Sequence, residues 1–435
     1  MNHPSRFVTL LATFALTAAG ALAAHPKYRV IYNMQNPYNQ PSGLGEMSPG
    51  VFYTVTAPEA VLSVTAQGVL TTLASFPNGS IVQSFPTPGA NGLLYSSIGE
   101  PTSSVGYVFS VSTAAGSEHN YPTLSVVPSF SGNLPDGKLF GLVFGLTNSN
   151  WSLGTSDLQG GVTTFYQFPA NDGPNAPILG ADGSYYGVDA SYAANYMGIL
   201  FKVTPSGTFT QVAALPFVPT AYVGQGVVLQ GNDGNFYGIQ STALGCSNGQ
   251  HGGVYQVTPS GQYTLLHDFG VCLKGIVNSL IQASDGNLYG VTQAGLIFSL
   301  TTSGIYNNVF LMNGYDGLCP CWLMQGSDGA FYGTTEGGGT TGGGVVFALD
   351  LGLPAPKPQA LRFSPQSGAV GTPVRIWGNN LLKSTVAFNG VPATSVRHSG
   401  PNYVWANVPI GATTGPITVT TAGGSSTTKA EFTVE

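Results

Sequence analysis

The chain of 435 residues has room for two or three domains, and only 7% of it is charged, against 61 Gly, 30 Pro and 11% aromatic residues. Low charge with plentiful aromatics excludes a disordered chain, which needs the opposite balance. A net charge of −6 with no basic patch excludes nucleic acid as a partner.

Residues 1–23 read as a signal peptide. Arg6 supplies a positive n-region, Phe7 to Leu22 is apolar and rich in small residues, and Ala21-Leu22-Ala23 is a cleavage signal. A single membrane anchor is the alternative, but the run is shorter than the roughly 20 residues of a span. No later stretch could cross a membrane. The expected mature chain is exported and soluble, with no membrane span after cleavage and a charge of 11 − 18 = −7.

Next comes Tyr28-Arg-Val-Ile-Tyr-Asn-Met34, a strand with no hairpin partner beside it. A repeat then dominates residues 25–352. Its clearest copies are Asp182-Gly-Ser-Tyr-Tyr-Gly187, Asp233-Gly-Asn-Phe-Tyr-Gly238, Asp285-Gly-Asn-Leu-Tyr-Gly290 and Asp328-Gly-Ala-Phe-Tyr-Gly333. Looser copies begin at Pro49, Asn91 and Asp136, so the spacings run 42, 45, 46, 51, 52 and 43. A period of roughly 40–50 residues with strand-like content marks a repeat architecture.

Each unit reads as four strands. An apolar run enters the Asp-Gly turn, which is expected to be a tight two-residue hairpin with positive φ angles. The Tyr-Gly strand follows, with Leu288 and Gly290 on one face and Tyr289 and Val291 on the other. The repeated Tyr is expected to pack between sheets rather than form a site. The turn Asp residues are expected to bond locally. After a variable loop, a third strand runs into Val203-Thr-Pro-Ser-Gly207 or Val257-Thr-Pro-Ser-Gly261, and a fourth closes the unit.

Such units arranged radially give a seven-bladed β-propeller. The last repeat has no fourth strand of its own, and residues 28–34 fit that vacancy, closing the ring. A linear solenoid would leave that strand unexplained and both ends uncapped. The motifs resemble the GloVer tandem repeat, most closely at Asp285–Thr292, Asp328–Thr335 and Gly344–Phe347. That resemblance implies a secreted or surface repeat protein and supplies no catalytic residues.

Residues 353–358 form a stiff Pro-rich linker. Residues 359–435 turn to Thr, Val and Ser. With Gly378, Asn389-Gly390 and Val408-Pro409 in order, they resemble the IPT/TIG family and imply an immunoglobulin-like β-sandwich. The expected fold class is therefore all-β, a propeller followed by a sandwich.

Candidate chemistry is sparse. The six histidines include no H-x-H or H-x-x-x-H pair, and no calcium loop, nucleophile elbow or P-loop occurs. No metal or cofactor is expected. Gly337–Gly344 resembles a phosphate loop only in composition and is expected to be a flexible loop. Cys246 and Cys272 are expected to form a disulfide in an oxidising compartment, with Cys319 and Cys321 able to compete.

The long variable loops and their neighbouring connections carry Tyr192, Tyr196, Tyr222 and Tyr315, with Tyr38 in the N-terminal connection. These are the expected binding residues, for an extracellular glycan or protein. The short-turn face is expected to leave little room for specificity. The functional expectation is a non-enzymatic binding module at the cell surface or outside it. The alternative is an extracellular carbohydrate-active enzyme, either a polysaccharide lyase or hydrolase or one with the galactose-oxidase layout. That layout needs a copper-binding His from the C-terminal domain, where His398 is the candidate.

Overall fold

The computed structural model describes residues 26–35, 41–56, 60–76, 81–82, 84–99, 106–113, 118–124, 126–145, 150–170, 173–189, 198–216, 228–240, 251–271 and 277–435. The expected signal peptide lies outside them. The described chain is all strand and turn. Sheet 1 comprises Pro41–Ser48, Val51–Thr56, Ala60–Thr65 and Leu70–Ser75, antiparallel and in sequence order. Sheets 2 to 6 follow at 81–124, 126–167, 178–215, 228–271 and 277–311. Sheet 2 differs in that two short segments, Ile81–Val82 and Thr87–Pro88, share one partner strand.

Sheet 7 is completed from the other end of the chain. Its strands Leu318–Gln325, Phe331–Gly337 and Val345–Asp350 receive Lys27–Asn33 as their fourth. The register pairs Lys27 with Asp350, Val30 with Phe347 and Asn33 with Val345. Sheet 7 in turn packs on sheet 1: Trp322, Tyr332, Val346 and Ala348 share one core with Leu44, Phe52 and Val64.

The residues of the repeat motif explain this packing. In sheet 6, Leu288 is buried with Tyr237 and Ile239 of sheet 5. Tyr289 and Val291, on the opposite face, are buried with Leu323 and Phe331 of sheet 7. Fully burying a side chain of this size contributes about 1.5–3 kcal/mol. Each sheet is thus apolar on both faces and needs a neighbour on each side, which is the arrangement of a β-propeller. The glycine between these residues is forced. A methyl group at Gly290 would run into Phe298 and lie 2.8 Å from Ser279 O.

The repeated turn corrects the two-residue expectation. Ala283 N donates to Asn287 O and Gly286 N to Ala283 O, both at 2.9 Å, giving a three-residue loop. Only the glycine takes positive φ, at 85°. Asp285 stays on the negative side, and its carboxylate receives Asn287 N at 3.1 Å and Tyr289 OH at 2.9 Å. Tyr186, Tyr237 and Tyr332 bond their own turn aspartates in the same way. The repeated Tyr therefore packs between sheets and also ties off its turn.

Four pairs of neighbouring sheets are further joined by a side chain near the end of an inner strand. Gln230 Oε1 accepts from Ala181 N, Gln282 Oε1 from Asn232 N and Gln325 Oε1 from Ser284 N, at 2.8–2.9 Å. Each of these glutamines also donates to the glycine carbonyl of its own turn. At the junction of sheets 7 and 1 the same place is held by Glu46. It accepts Ser327 N at 2.7 Å, Ser327 Oγ at 2.9 Å and Gly50 N at 2.8 Å.

Beyond the linker, two sheets pack face to face. One orders Gln359–Ser364, Pro373–Asn379, Tyr403–Asn407 and Val396–His398; the other contains Thr385–Phe388, Gly415–Thr421 and Gly424–Val434. Phe363, Ile376 and Val404 from the first meet Phe388, Ile417 and Phe432 from the second in one core. Here a true two-residue hairpin does occur, with Asn389 at φ 44° and Gly390 at φ 87°. The linker lies against sheets 6 and 7, where Ser284 Oγ donates to Pro354 O at 2.7 Å.

Candidate functional site

The variable-loop side is described best where sheet 6 passes into sheet 7. The connection after Tyr306–Leu311 is folded on itself by Asn313, whose Oδ1 accepts Tyr315 N at 3.1 Å and Asp316 N at 3.2 Å. The 337–344 segment braces it. Gly339 N donates to Gly314 O at 2.9 Å, and Gly338, at φ 79°, sits where a side chain would strike Gly317 and Leu318 backbone. Thr340 N donates to Asn33 Oδ1 at 2.9 Å, and Gly344 O accepts Met34 N at 3.0 Å. The glycine-rich segment is therefore a packed, hydrogen-bonded wedge rather than the flexible loop expected. Gly338 and Gly344 are required because neighbouring backbone leaves no room for a Cβ, and Gly339 because Asn33 and Val345 side chains do the same.

The N-terminal strand contributes again through Tyr28, whose hydroxyl donates to Asp316 O. Its ring stacks on Phe310 at 4.5 Å with an interplanar angle of 4°. On this fixed base Tyr315 is 79% exposed, and Leu311 and Leu318 beside it are also exposed.

The titratable groups nearby are subdued. Burial pushes the Glu336 carboxyl up, and burial with the Glu336 charge pushes the Cys319 thiol up. Burial raises the Cys321 thiol to about 11, and its Sγ contacts Thr334 and Pro41 O rather than a base. Neither thiol is an activated nucleophile. The arrangement offers a contact surface: one aromatic ring with a polar tip on a rigid base.

Of the residues expected to bind, Tyr315 stands at this site. Tyr38, Tyr192, Tyr196 and Tyr222 lie outside the described residues, as do Cys246 and Cys272. Among the described residues Cys319 and Cys321 are free, and no group of three His, Cys, Asp or Glu could hold a metal. His398 Nε2 sits 3.1 Å from both Ser384 O and Ser384 Oγ, and burial lowers its pKa.

The short-turn side departs from expectation. The sandwich is seated on it, with Arg375 donating to Pro135 O at 3.1 Å and Tyr403 OH to Leu134 O at 2.6 Å. Two cavities open along this seam. One of 180 Å³ lies between Met47, Tyr53 and His398, and one of 290 Å³ between Asp136, Arg362, Arg375 and Trp377. Sequence reasoning missed this seam and the Gln/Glu46 series. The Gln-x-x-Asp-Gly spacing at Gln230, Gln282 and Gln325 was the available signal for the latter.

Among solved structures, the chain aligns with virginiamycin B lyase from Staphylococcus aureus at a TM-score of 0.53 and 17% identity, covering 75% of this chain and 100% of that one. It aligns with the WD40 β-propeller domain of Doa1 at a TM-score of 0.50 and 12% identity, covering 74% and 97%. No protein-family model and no curated protein matches the chain. These likenesses agree with the sheets themselves: the fold is a β-propeller. One relative is named as an enzyme and the other as a WD40 domain, and at such identities only the fold is shared.

Proposed function

We propose that this chain is an exported, non-enzymatic binding protein whose variable-loop face engages an extracellular glycan or another protein. In this reading residues 1–23 are a cleaved signal peptide, and residues 25–352 are a seven-bladed propeller of GloVer-type repeats. An IPT/TIG immunoglobulin-like domain then occupies 359–435. The observation that carries the reading is Tyr315, 79% exposed on a connection clamped by Asn313, Gly339 and Tyr28. A rigid aromatic anchor with a polar tip suits glycan or protein contacts, because little side-chain entropy is lost on binding. Binding residues commonly sit on loops held by a rigid scaffold. The two-sheet sandwich is compatible with the immunoglobulin-like assignment.

The test is a glycan array and a pull-down with the purified mature chain, repeated with Tyr315→Ala and with Tyr192→Ala plus Tyr196→Ala. The expected result is weakened binding at an unchanged melting temperature. Normal binding in all variants removes the assignment of this face. The alternative, an extracellular carbohydrate-active enzyme, is read in the same samples by product formation from polysaccharides and by metal content.

A further inference from the structure

The face of the first sandwich sheet turned away from the sandwich core, part of which is seated on the propeller through Arg375, Trp377 and Tyr403, is chemically unlike the rest of the molecule. Residues paired across strands share a face. The register therefore lines up Arg362, Trp377 and Tyr403 in one row and Ser364, Arg375, Trp405 and Arg397 in the next. Three of the five arginines in the chain stand on this one face. Two of them, Arg375 and Arg397, interlock with its aromatic rings. Arg375 lies over Tyr403 at 6.0 Å and over Trp405 at 5.7 Å, and Arg397 over Trp405 at 5.6 Å. An indole held between two guanidinium groups fixes both cations in place.

The face is rich in donors and poor in acceptors. Trp377 Nε1 and Trp405 Nε1 are buried without a hydrogen-bond partner, and Arg375 commits only part of its fork to Pro135 O. Of the carboxylates nearby, Asp136 lies 3.7 Å from Lys138 Nζ, and Asp182, next to Gly183 beside Arg362, pairs with Lys202 Nζ at 2.8 Å. Arg362, Arg375, Arg397, Lys138 and Lys202 against Asp136 and Asp182 leave a local excess of positive charge in a chain of net charge −6. The 290 Å³ cavity opens at the edge of this face, between Arg362 and Arg375. Strands lie about 5 Å apart, so arginines on the first, second and fourth strands sit about 5 and 10 Å apart across the sheet. That pitch is close to one and two sugar residues of an extended polysaccharide.

We propose that this face binds a carboxylate-bearing polysaccharide, an oligomer of hexuronic acid. One carboxylate enters the cavity between Arg362 and Arg375, and another meets Arg397. Guanidinium groups suit this task because their fork matches a carboxylate. A stiff sugar chain presents its carboxylates at a fixed pitch, as the interlocked arginines require, whereas an acidic peptide must first order each side chain. The inference rests on the glycan reading above for its ligand class, but it uses the other side of the molecule.

The experiment is calorimetric titration of the full mature chain with oligomannuronate, with a neutral oligomannoside and a polyglutamate peptide as comparators. Arg362 and Arg397 are exposed, so Arg362→Gln with Arg397→Gln is expected to fold with an unchanged melting temperature. Oligomannuronate should bind, more weakly as salt rises. The double variant should lose at least about tenfold in affinity, while Tyr315→Ala binds as before. No binding by the unaltered chain, equal affinity in the double variant, or equal binding of polyglutamate overturns the proposal. Loss of binding in Tyr315→Ala alone also overturns it, and assigns the ligand to the variable-loop face instead.

Discussion

The Glu46 carboxylate accepts the backbone N–H of Ser327 at 2.7 Å across 281 positions of sequence, at the junction where the first and last sheets meet. Its counterparts at three other junctions are neutral: Gln230, Gln282 and Gln325. Burial pushes the Glu46 carboxyl up and outweighs the three donors from Gly50 and Ser327; the nearby Asp328 charge adds to the rise. A carboxyl whose pKa rises on folding holds more protons in the folded than in the unfolded state. Stability then falls as pH climbs from the ordinary carboxylate range through the raised value. Glu46→Gln removes this dependence. The melting temperature of the variant relative to the parent should therefore be more favourable at pH 7 than at pH 4. An offset that is equal at both, or larger at pH 4, contradicts the assignment.

The turn tie and the glycine beside it can be separated. Tyr289→Phe keeps the ring in its core and loses only the bond to Asp285, so a cost of about 1 kcal/mol is expected. Gly290→Ala must push against Phe298 and Ser279 O, and overpacking of this kind costs about 1–3 kcal/mol. Denaturant unfolding of both variants gives the comparison. A Gly290→Ala protein as stable as its parent would show that the sheets do not need this close approach.

Removing residues 25–35 strips the fourth strand from sheet 7. It exposes the Val345–Asp350 edge and also takes away Tyr28 and Asn33, which brace the loops beside Tyr315. Unpaired edges recruit other chains. Light scattering should detect aggregation of the deletion protein at concentrations where the parent stays monodisperse. A soluble, equally stable deletion protein rules out the closing role.

The cysteines divide by environment. Cys246 and Cys272 are expected to be bridged, closing a loop of about 26 residues for a stabilisation of about 3–4 kcal/mol in the chain-entropy account. Cys321, buried with its thiol near 11, should be the slowest to alkylate at pH 8 in the folded protein. Non-reducing peptide mapping with timed alkylation reads both. Free Cys246 and Cys272, or Cys321 reacting ahead of Cys319, would refute these assignments.

The repeat was legible because one short motif does several local jobs at once. Asp285 and Gly286 make the turn, and Tyr289 and Gly290 set the packing on either side. Residues 28–34 stood out because they lack a neighbour to pair with. What could not be read depends on residues far apart in sequence. Glu46 takes its meaning only when set against Ser327. The wedge at 337–344 looks loose until Gly314, Asn33 and Met34 are found against it. The arginine face was hidden for the same reason: Arg362, Arg375 and Arg397 are spread through three strands, and only the sheet register puts them side by side. The turn conformation was misjudged because Asp-Gly fits two hairpin types. The carboxylate bond to Tyr289 OH belongs to the type in which Asp keeps its negative φ.

The pairing of Lys27 with Asp350 also dictates when this molecule can become whole during its making. A ribosome delivers the first strand long before the sheet that will receive it. Until the segment through Asp350 has emerged, Lys27–Asn33 has nowhere to go and sheet 7 does not exist. A polypeptide released early therefore lacks the receiving edge altogether and cannot close. Only a chain extended through Asp350 can give Lys27–Asn33 its partner strand.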